Sequence, residues 1–271
     1  MLHRFEYAAP RDRAELLSLL AARGQGAMLL AGGTDVLVNI RGGAVRPELV
    51  IDVKRVPGWA GITWSTTDGL VIRPATTINA LLRDAVVREK FPLLVACARD
   101  LASHQIRNRA TVIGNIVNAS PCADMAPALL CLEARAWAAS TRGAREIPLH
   151  DFFTGVKRTR LAPDEVLERI VVPARSAGAR GGYRKLKRIN GHDLGIVGVA
   201  AMKQDGRLRV GISSAAPTPV LVDGLLESTP ADAVVDAVRS ATRPISDVRC
   251  TREYREYMVE IFVRRLLQEV A

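Results

Sequence analysis

A stretch that is low in charge and rich in small residues runs from Ala110 to Asp124, between two apolar segments that read as helices. Small residues let a backbone approach another group closely. The short polar side chains of Asn115, Asn118, Ser120 and Asp124 reach only the nearest groups. A segment that fills a core would use larger apolar side chains. We therefore interpret this stretch as a cradle for a polar ligand, around which the rest of the chain is organised.

A second small-residue loop, Ala31-Gly32-Gly33-Thr34-Asp35, follows a predicted strand and leads into a predicted helical turn. Successive amides in such a loop can converge on an anion, although the pattern alone is more often a tight turn. It is not a P-loop, because no Gly-Lys-Ser/Thr follows, and it is not a dinucleotide-binding G-x-G-x-x-G.

Two amide-rich loops suit a diphosphate, and the hydroxyls of Thr34, Thr111 and Ser120 would add neutral donors. Asp124 would repel phosphate, so it fits better on a ribose hydroxyl or a flavin amide. The alternative for Asp124 is a cap on the helix that follows it.

The 271 residues are 48% hydrophobic, which is enough for two or three compact subdomains. No apolar run reaches the ~18–20 residues needed to cross a bilayer, and the N-terminus does not resemble a signal peptide. We therefore expect a cytoplasmic protein without a membrane span. The net charge is +10, but the basic residues are dispersed and only 4% of residues are aromatic, which disfavours nucleic-acid binding.

The four cysteines form no C-x-x-C pair and the four histidines are scattered, so we expect no metal site in this chain.

Apolar runs and helix-spaced apolar faces predict the elements of the first part of the chain. These are helices over 12–23, 36–40, 77–87, 92–102 and 125–133, and strands over 28–30, 49–53, 70–73, 135–139 and 166–172. A linker over 174–182 precedes predicted strands over 183–189, 196–202 and 207–213, with Asp205-Gly206 as a hairpin turn. The end is predicted to be helical, with one apolar stripe of Tyr254, Met258, Ile261, Phe262 and Leu266.

The two loops together, Leu29–Val36 and Gln105–Asp124, resemble the two FAD-binding signatures of the medium, flavoprotein subunit of molybdenum hydroxylases. That family includes the flavoproteins of xanthine dehydrogenases and carbon monoxide dehydrogenase. The resemblance extends over essentially the whole chain. It implies an α+β fold in which two subdomains, 1–57 and 58–175, form an FAD-binding unit of the vanillyl-alcohol-oxidase/PCMH type. Residues 178–271 would form an antiparallel sheet-and-helix domain.

The resemblance also implies which residues bind FAD, while it assigns no catalytic side chain and no metal ligand here. They are Leu29, Leu30, Ala31, Gly32, Gly33, Thr34, Asp35, Val36, Thr111, Gly114 and Asn115 at the pyrophosphate, and Leu101, Ala102, Asp124, Leu167 and Lys185 near the flavin and ribose. For Leu101 and Leu167 the alternative is core packing, and for Lys185 it is a solvated strand position.

One position departs from the family pattern, because Ile113 stands where the first of two glycines usually precedes the Asn. A β-branched residue held at positive φ would be strained by ~1–3 kcal/mol. If the position requires only a close approach of the backbone to the cofactor, the larger Ile113 side chain would push the loop outward and weaken FAD binding. Arg109 is a second, milder departure, at a position that is commonly small or apolar.

The function that the resemblance implies is electron transfer within a molybdenum-containing hydroxylase. Iron–sulfur clusters on a small subunit and molybdopterin on a large subunit would supply electrons to this FAD. NAD⁺ or another acceptor would then receive them, in a dimer of heterotrimers. The alternatives are a stand-alone flavin reductase or oxidase of the same fold, and a structural subunit whose flavin site has decayed.

Overall fold

The computed structural model describes residues 3–189 and 191–270, and it shows a mixed α+β chain, as the sequence predicts. The strands are β1 (Glu6–Ala8), β2 (Ala27–Leu30), β3 (Leu49–Asp52), β4 (Ile62–Ser65), β5 (Gly69–Ile72), β6 (Arg135–Ser140), β7 (Gly143–Pro148), β8 (Phe153–Gly155), β9 (Arg158–Thr159), β10 (Val166–Val172), β11 (Arg180–Leu186), β12 (Val197–Gln204), β13 (Arg207–Ser213) and β14 (Val220–Leu226). The helices are α1 (Arg13–Arg23), α2 (Val36–Arg41), α3 (Ile78–Arg83), α4 (Ala85–Lys90), α5 (Pro92–Asp100), α6 (His104–Arg107), α7 (Val112–Val117), α8 (Ala126–Cys131), α9 (Leu149–Phe152), α10 (Ala231–Ala241) and α11 (Arg252–Glu269).

The first sheet is parallel, with strand order β1-β3-β2. Helix α1 buries Leu16, Leu17 and Leu20 in the same core as the central strand β3. Asp12 caps this helix by accepting a hydrogen bond from the Glu15 amide, as its sequence predicts. Strand β2 lies at the edge of the sheet, and its carboxyl end leads directly into the first small-residue loop. The carboxyl ends of parallel strands are the usual place for a ligand.

The second sheet is antiparallel, with strand order β4-β5-β10-β6-β7, and it packs against α3 to α9 in the largest apolar core. The prediction of a single helix over 77–87 is wrong in one respect, because Asp84 interrupts it and two helices, α3 and α4, form instead. That residue has an extended backbone, and its carboxylate caps α4 by accepting from the Val87 amide at 3.0 Å. An aspartate that can cap a helix competes with continuation of the preceding one.

The third sheet is an antiparallel meander, β11 to β14, covered by α10 and α11. Its predicted hairpin turn is confirmed, because Asp205 and Gly206 both have positive φ, +51° and +75°, as a two-residue type I′ turn requires. The predicted linker over 174–182 is partly wrong, since β11 already begins at Arg180.

The buried face of α11 differs from the predicted stripe. Tyr254 is 45% exposed, whereas the neighbouring Arg255 is 2% exposed. The Arg255 guanidinium donates to the Ser214 carbonyl at 2.6 Å and lies 3.2 Å from the Asp247 carboxylate. A buried cation with such partners can take a core position that the apolar pattern would not assign to it.

Within the described ranges, no helix combines the length and the apolar character that crossing a bilayer requires.

Candidate functional site

The first small-residue loop joins β2 to α2 and exposes its own backbone. Gly33 has φ +79°, a conformation that favours glycine. None of the amides of Gly32, Gly33, Thr34 and Asp35 donates a hydrogen bond to another residue in the part of the chain that the structure describes. Four successive amides without a protein acceptor form a surface suited to an anion.

The cradle predicted as a loop over 110–124 is wrong in its first half, which contains the helix α7. Thr111 caps this helix, because its hydroxyl oxygen accepts from the Gly114 amide at 3.0 Å. A Cβ at Gly114 would lie only 2.7 Å from that hydroxyl, so the glycine keeps the cap intact. The Asn115 side chain accepts from the Met125 amide at 3.1 Å and thereby fixes the far end of the cradle.

The two loops meet each other directly. A Cβ placed on Gly32 would lie 2.3 Å from the Arg109 carbonyl oxygen and 3.0 Å from Ala110 Cα. The side-chain NH₂ group of Asn118 donates to the Asp35 carboxylate at 3.0 Å, and Lys157 donates to the Asn118 side-chain oxygen at 2.8 Å. The close backbone approach predicted for the glycine loop therefore exists, and its partner is the backbone of the second loop.

Ile113 lies in the first turn of α7 and has no positive φ. Its side chain is 5% exposed and belongs to the apolar core of the second sheet. The suspected backbone strain is therefore absent, because helical φ suits a β-branched residue. The side chain points into the core, so it does not displace the loop outward.

A row of charged side chains, of which Lys185 and Asp124 are the most buried, lies beyond the end of the second loop. The Lys185 ammonium, on β11, is 2.7 Å from the Asp124 carboxylate, and only 1% of the Lys185 side chain is exposed. The same ammonium donates to the Asp100 carbonyl at 3.2 Å, and Lys187 lies 3.2 Å from the Asp100 carboxylate. Burial raises the pKa of the Asp124 carboxyl, and the nearby Lys185 ammonium opposes part of that rise.

These contacts decide two of the alternatives left open by the sequence. Asp124 does not cap the helix that follows, since α8 has Met125 at its N-cap and no side-chain cap. Lys185 is not a solvated strand residue. The structure thus joins the end of the second loop to the third sheet through one ion pair.

Leu101 and Leu167 have 4% and 1% exposure, and both side chains lie in the largest core. Core packing therefore accounts for their apolar side chains, and contact with a cofactor stays a prediction for both. Ala102 differs, because it is half-buried with φ +43°. Sequence reasoning did not assign a role to Arg107 or Asp100, whose main partners are backbone carbonyls or residues distant in the chain. The sequence signals for Arg107 were its place in the Gln105–Asp124 segment that resembles the family and a cation shortly after the end of a predicted helix.

Comparison with known proteins gives the class to which this site belongs. Residues 3–175 match the family model described as the FAD binding domain in molybdopterin dehydrogenase. The match includes both small-residue loops and covers more than half of the chain. The chain therefore belongs to this family of FAD-binding flavoproteins, and it is a subunit of the oxidoreductase class.

Particular relatives match over nearly the whole chain. The medium chain of carbon monoxide dehydrogenase from Hydrogenophaga pseudoflava is 32% identical, over 97% of this chain and 96% of the relative. A putative xanthine dehydrogenase FAD-binding subunit of Escherichia coli is 31% identical, over 94% and 92%.

Solved structures agree with these relatives. The structure of carbon monoxide dehydrogenase from H. pseudoflava superposes with a TM-score of 0.92 at 31% identity, over 100% of this chain and 98% of that chain. Quinoline 2-oxidoreductase from Pseudomonas putida superposes with a TM-score of 0.88 at 25% identity, over 100% and 98%. The expected resemblance to medium subunits of molybdenum hydroxylases is thereby confirmed.

Proposed function

We propose that this chain is the FAD-carrying electron-transfer subunit of a molybdenum-containing hydroxylase or dehydrogenase complex. It would take electrons from an iron–sulfur subunit and pass them to NAD⁺ or another acceptor. The observation that carries the proposal is the chain-long similarity to medium chains of such enzymes, together with two loops that meet at their backbones. FAD, when bound, supplies the redox chemistry, and the residues of this chain hold the cofactor and set its surroundings.

We assign one proposed role in FAD binding to each of the three parts of the chain. Residues 1–57 and 58–175 would form the two halves of a vanillyl-alcohol-oxidase/PCMH-type FAD unit, and 178–271 would cover the flavin end. The proposed FAD-binding residues are Leu29, Leu30, Ala31, Gly32, Gly33, Thr34, Asp35, Val36, Leu101, Ala102, Thr111, Gly114, Asn115, Asp124, Leu167 and Lys185.

The first loop fits the pyrophosphate. The amides of Gly32, Gly33, Thr34 and Asp35 have no acceptor among the described residues, and two adjacent phosphate charges need several such donors. Amide donors are neutral and fixed, so they bind the anion without a buried counter-charge. The Thr34 hydroxyl, which is half-buried in the same loop, can add a further donor.

The row of charged side chains fits the flavin end. The Asp124 carboxylate retains acceptor capacity beyond its 2.7 Å bond to Lys185, so it can receive a hydrogen bond from a ribityl or ribose hydroxyl or from a flavin N–H. The Lys185 cation would lower the free energy of negative charge on the ring system. Because the pair is buried, that electrostatic effect is screened less than at the surface.

The proposed partners are an iron–sulfur small subunit and a molybdopterin large subunit, assembled as a dimer of heterotrimers in the cytoplasm. Co-expression of the three chains, followed by size-exclusion chromatography and analysis of iron, molybdenum and FAD, tests this assembly. A medium chain that elutes alone from such an extract would contradict it.

The flavin content of the purified chain is the direct test. We expect about one FAD per chain, released on denaturation. The Asn118→Ala variant should bind FAD more weakly, because it removes the side-chain hydrogen bond between the two loops. The matched control is Asn39→Ala, which changes a half-buried Asn in α2 whose side chain has no hydrogen bond to a described residue. A colourless chain that takes up no added FAD would contradict the proposal and would favour a structural subunit.

Measurement of NAD(P)H oxidation distinguishes the proposed subunit from a stand-alone flavin reductase or oxidase. A stand-alone reductase or oxidase would oxidise NAD(P)H as an isolated chain. The proposed subunit should exchange electrons rapidly only when its partners are present.

A further inference from the structure

Four consecutive backbone carbonyls at the carboxyl end of α5 each lie next to a cationic side chain. They belong to Arg99, Asp100, Leu101 and Ala102. Nη1 of Arg107 donates to the Leu101 carbonyl at 2.8 Å and lies 3.1 and 3.2 Å from the carbonyls of Ala102 and Arg99. Lys185 takes the fourth, at Asp100. The end of a helix leaves several carbonyls without a partner in the helix, and here two cations supply the donors.

The turn held in this way contains Ala102, with φ +43°. This left-handed conformation costs free energy for a residue that has a Cβ, and it persists only where surrounding contacts impose it. Ser103 begins the next helix, because its hydroxyl accepts from the Ile106 amide at 3.3 Å. The turn between α5 and α6 is therefore fixed by its cap on one side and by Arg107 on the other.

Arg107 is itself anchored in the opposite direction. Its Nε lies 3.4 Å from the side-chain oxygen of Asn79, which is 3% exposed. The side-chain NH₂ group of Asn79 donates to the His104 carbonyl at 3.0 Å and to the Asn108 side-chain oxygen at 2.7 Å. The planar guanidinium can reach both Asn79 and the carbonyls because its donors point in fixed, divergent directions, which a lysine ammonium cannot reproduce.

We propose that Arg107 is a positioning residue for the flavin end of the site, acting through the backbone of Leu101 and Ala102. This inference rests on the proposed function, because it assumes that FAD binds beside that turn. Lys185 extends the effect, since the same ammonium bonds the Asp100 carbonyl and the Asp124 carboxylate. Without Arg107 the turn relaxes away from the left-handed conformation, and the carbonyl that orients Lys185 moves with it.

The experiment compares Arg107→Gln and Arg107→Lys with the native chain. We expect Arg107→Gln to raise the dissociation constant for FAD by about tenfold or more, the scale expected when hydrogen bonds from a charged group are lost. Arg107→Lys should have a smaller effect, because the ammonium can still donate to one carbonyl. The circular dichroism of the bound flavin and its midpoint potential should change in both variants. A residue that only stabilised the fold would leave these two properties unchanged once the cofactor is bound.

The matched control is Arg99→Gln. Arg99 is an exposed arginine in the same helix end, and its guanidinium has no hydrogen-bond or ion-pair partner among the described residues. We expect its FAD affinity to stay within about twofold of the native value. Equal effects of Arg99→Gln and Arg107→Gln would overturn the proposal. The proposal would also be overturned if both Arg107 variants kept the native FAD affinity, flavin circular dichroism and midpoint potential. The proposed function would not be affected by that result. A native chain that binds no FAD would instead refute the proposed function and this inference with it.

A rescue experiment tests the route through the backbone. Glycine adopts positive φ without the cost that alanine has. In the Arg107→Gln background, Ala102→Gly should therefore improve FAD affinity by about threefold or more, and it should improve it less in the native background. The same small change in both backgrounds would refute the claim that Arg107 acts through Ala102.

Discussion

The Lys185 ammonium lies 2.7 Å from the Asp124 carboxylate, and 1% of the Lys185 side chain is exposed. The two residues come from β11 and from the end of the second small-residue loop. A buried ion pair is a weak source of stability, since desolvation of both charges offsets their attraction. Burial raises the pKa of the Asp124 carboxyl, which is the signature of that cost. We infer that the pair is maintained for the site and not for the fold.

Removal of one partner should therefore cost more than removal of both. We expect Asp124→Asn to lower the free energy of unfolding by about 3 kcal/mol, because the buried Lys185 cation loses its counter-charge. The double variant Asp124→Asn, Lys185→Met should be destabilised by less than the sum of the two single variants. Urea unfolding of the four proteins without FAD measures this coupling. Additive effects would show that the two charges do not interact.

Gly32→Ala should separate the two loops. Its Cβ would lie 2.3 Å from the Arg109 carbonyl oxygen, and backbone cannot yield as a flexible side chain would. We expect a loss of about 1–3 kcal/mol of stability and a marked loss of FAD affinity. The control is Gly155→Ala, whose Cβ would meet nothing closer than 3.8 Å and whose φ is not positive. Native FAD affinity in Gly32→Ala would show that the loop contact is not required for binding.

Ile113→Gly introduces the glycine that the resemblance led us to expect at this position, yet we expect it to weaken this protein. The side chain is 5% exposed and lies in α7, so its removal loses apolar contacts and adds the cost of glycine in a helix. Together these effects amount to about 4 kcal/mol, and Ile113→Val should cost about 1 kcal/mol. Thermal unfolding and FAD titration of both variants measure this. Tighter FAD binding by Ile113→Gly would revive the idea that Ile113 obstructs the site.

Asp247 should make stability depend on acidic pH. Hydrogen bonds from Arg249 hold the pKa of the Asp247 carboxyl well below its ordinary value of 3.8, and Arg255 lies 3.2 Å away. Because the folded pKa is depressed, this stabilisation is fully present above the unfolded value near 4 and is lost as pH falls below it.

Asp247→Asn should therefore lower stability at pH 7 by on the order of 2 kcal/mol, less than for a fully buried pair because Asp247 is partly exposed. The difference from the native chain should shrink as pH decreases toward 3. Urea midpoints measured at several pH values test this. A difference that is independent of pH would mean that the ion pairs of Asp247 do not contribute.

Local signals in the sequence predicted the parts of the fold that depend on neighbouring residues. The Asp12 cap of α1 and the Asp205-Gly206 turn are of this kind. The approach of the two loops was also predictable, because glycine-rich turns are needed where backbones meet. Threonine is a preferred N-cap residue, so a helix that begins after Thr111 was also predictable, and it places Ile113 where no strain arises.

Contacts between distant residues could not be predicted in this way. The burial of Arg255 depends on Asp247 and Ser214, which meet it only in the folded chain. For Lys185 the alternative of a solvated strand position stayed open in the sequence, because its partner Asp124 lies on another element. The anchoring of Arg107 on Asn79 is likewise a contact between distant residues, whereas its three carbonyl partners at the end of α5 lie close to it in the sequence.

The ion pair between Asp124 and Lys185 also sets an order of events during synthesis. A ribosome produces both small-residue loops well before β11, so a nascent chain that ends before Tyr183 leaves Asp124 without its cation. Such a fragment already has the amides of the first loop, but it lacks the strand that completes the row of charges. The charged end of the site can therefore form only after β11 has been synthesised, later than both small-residue loops.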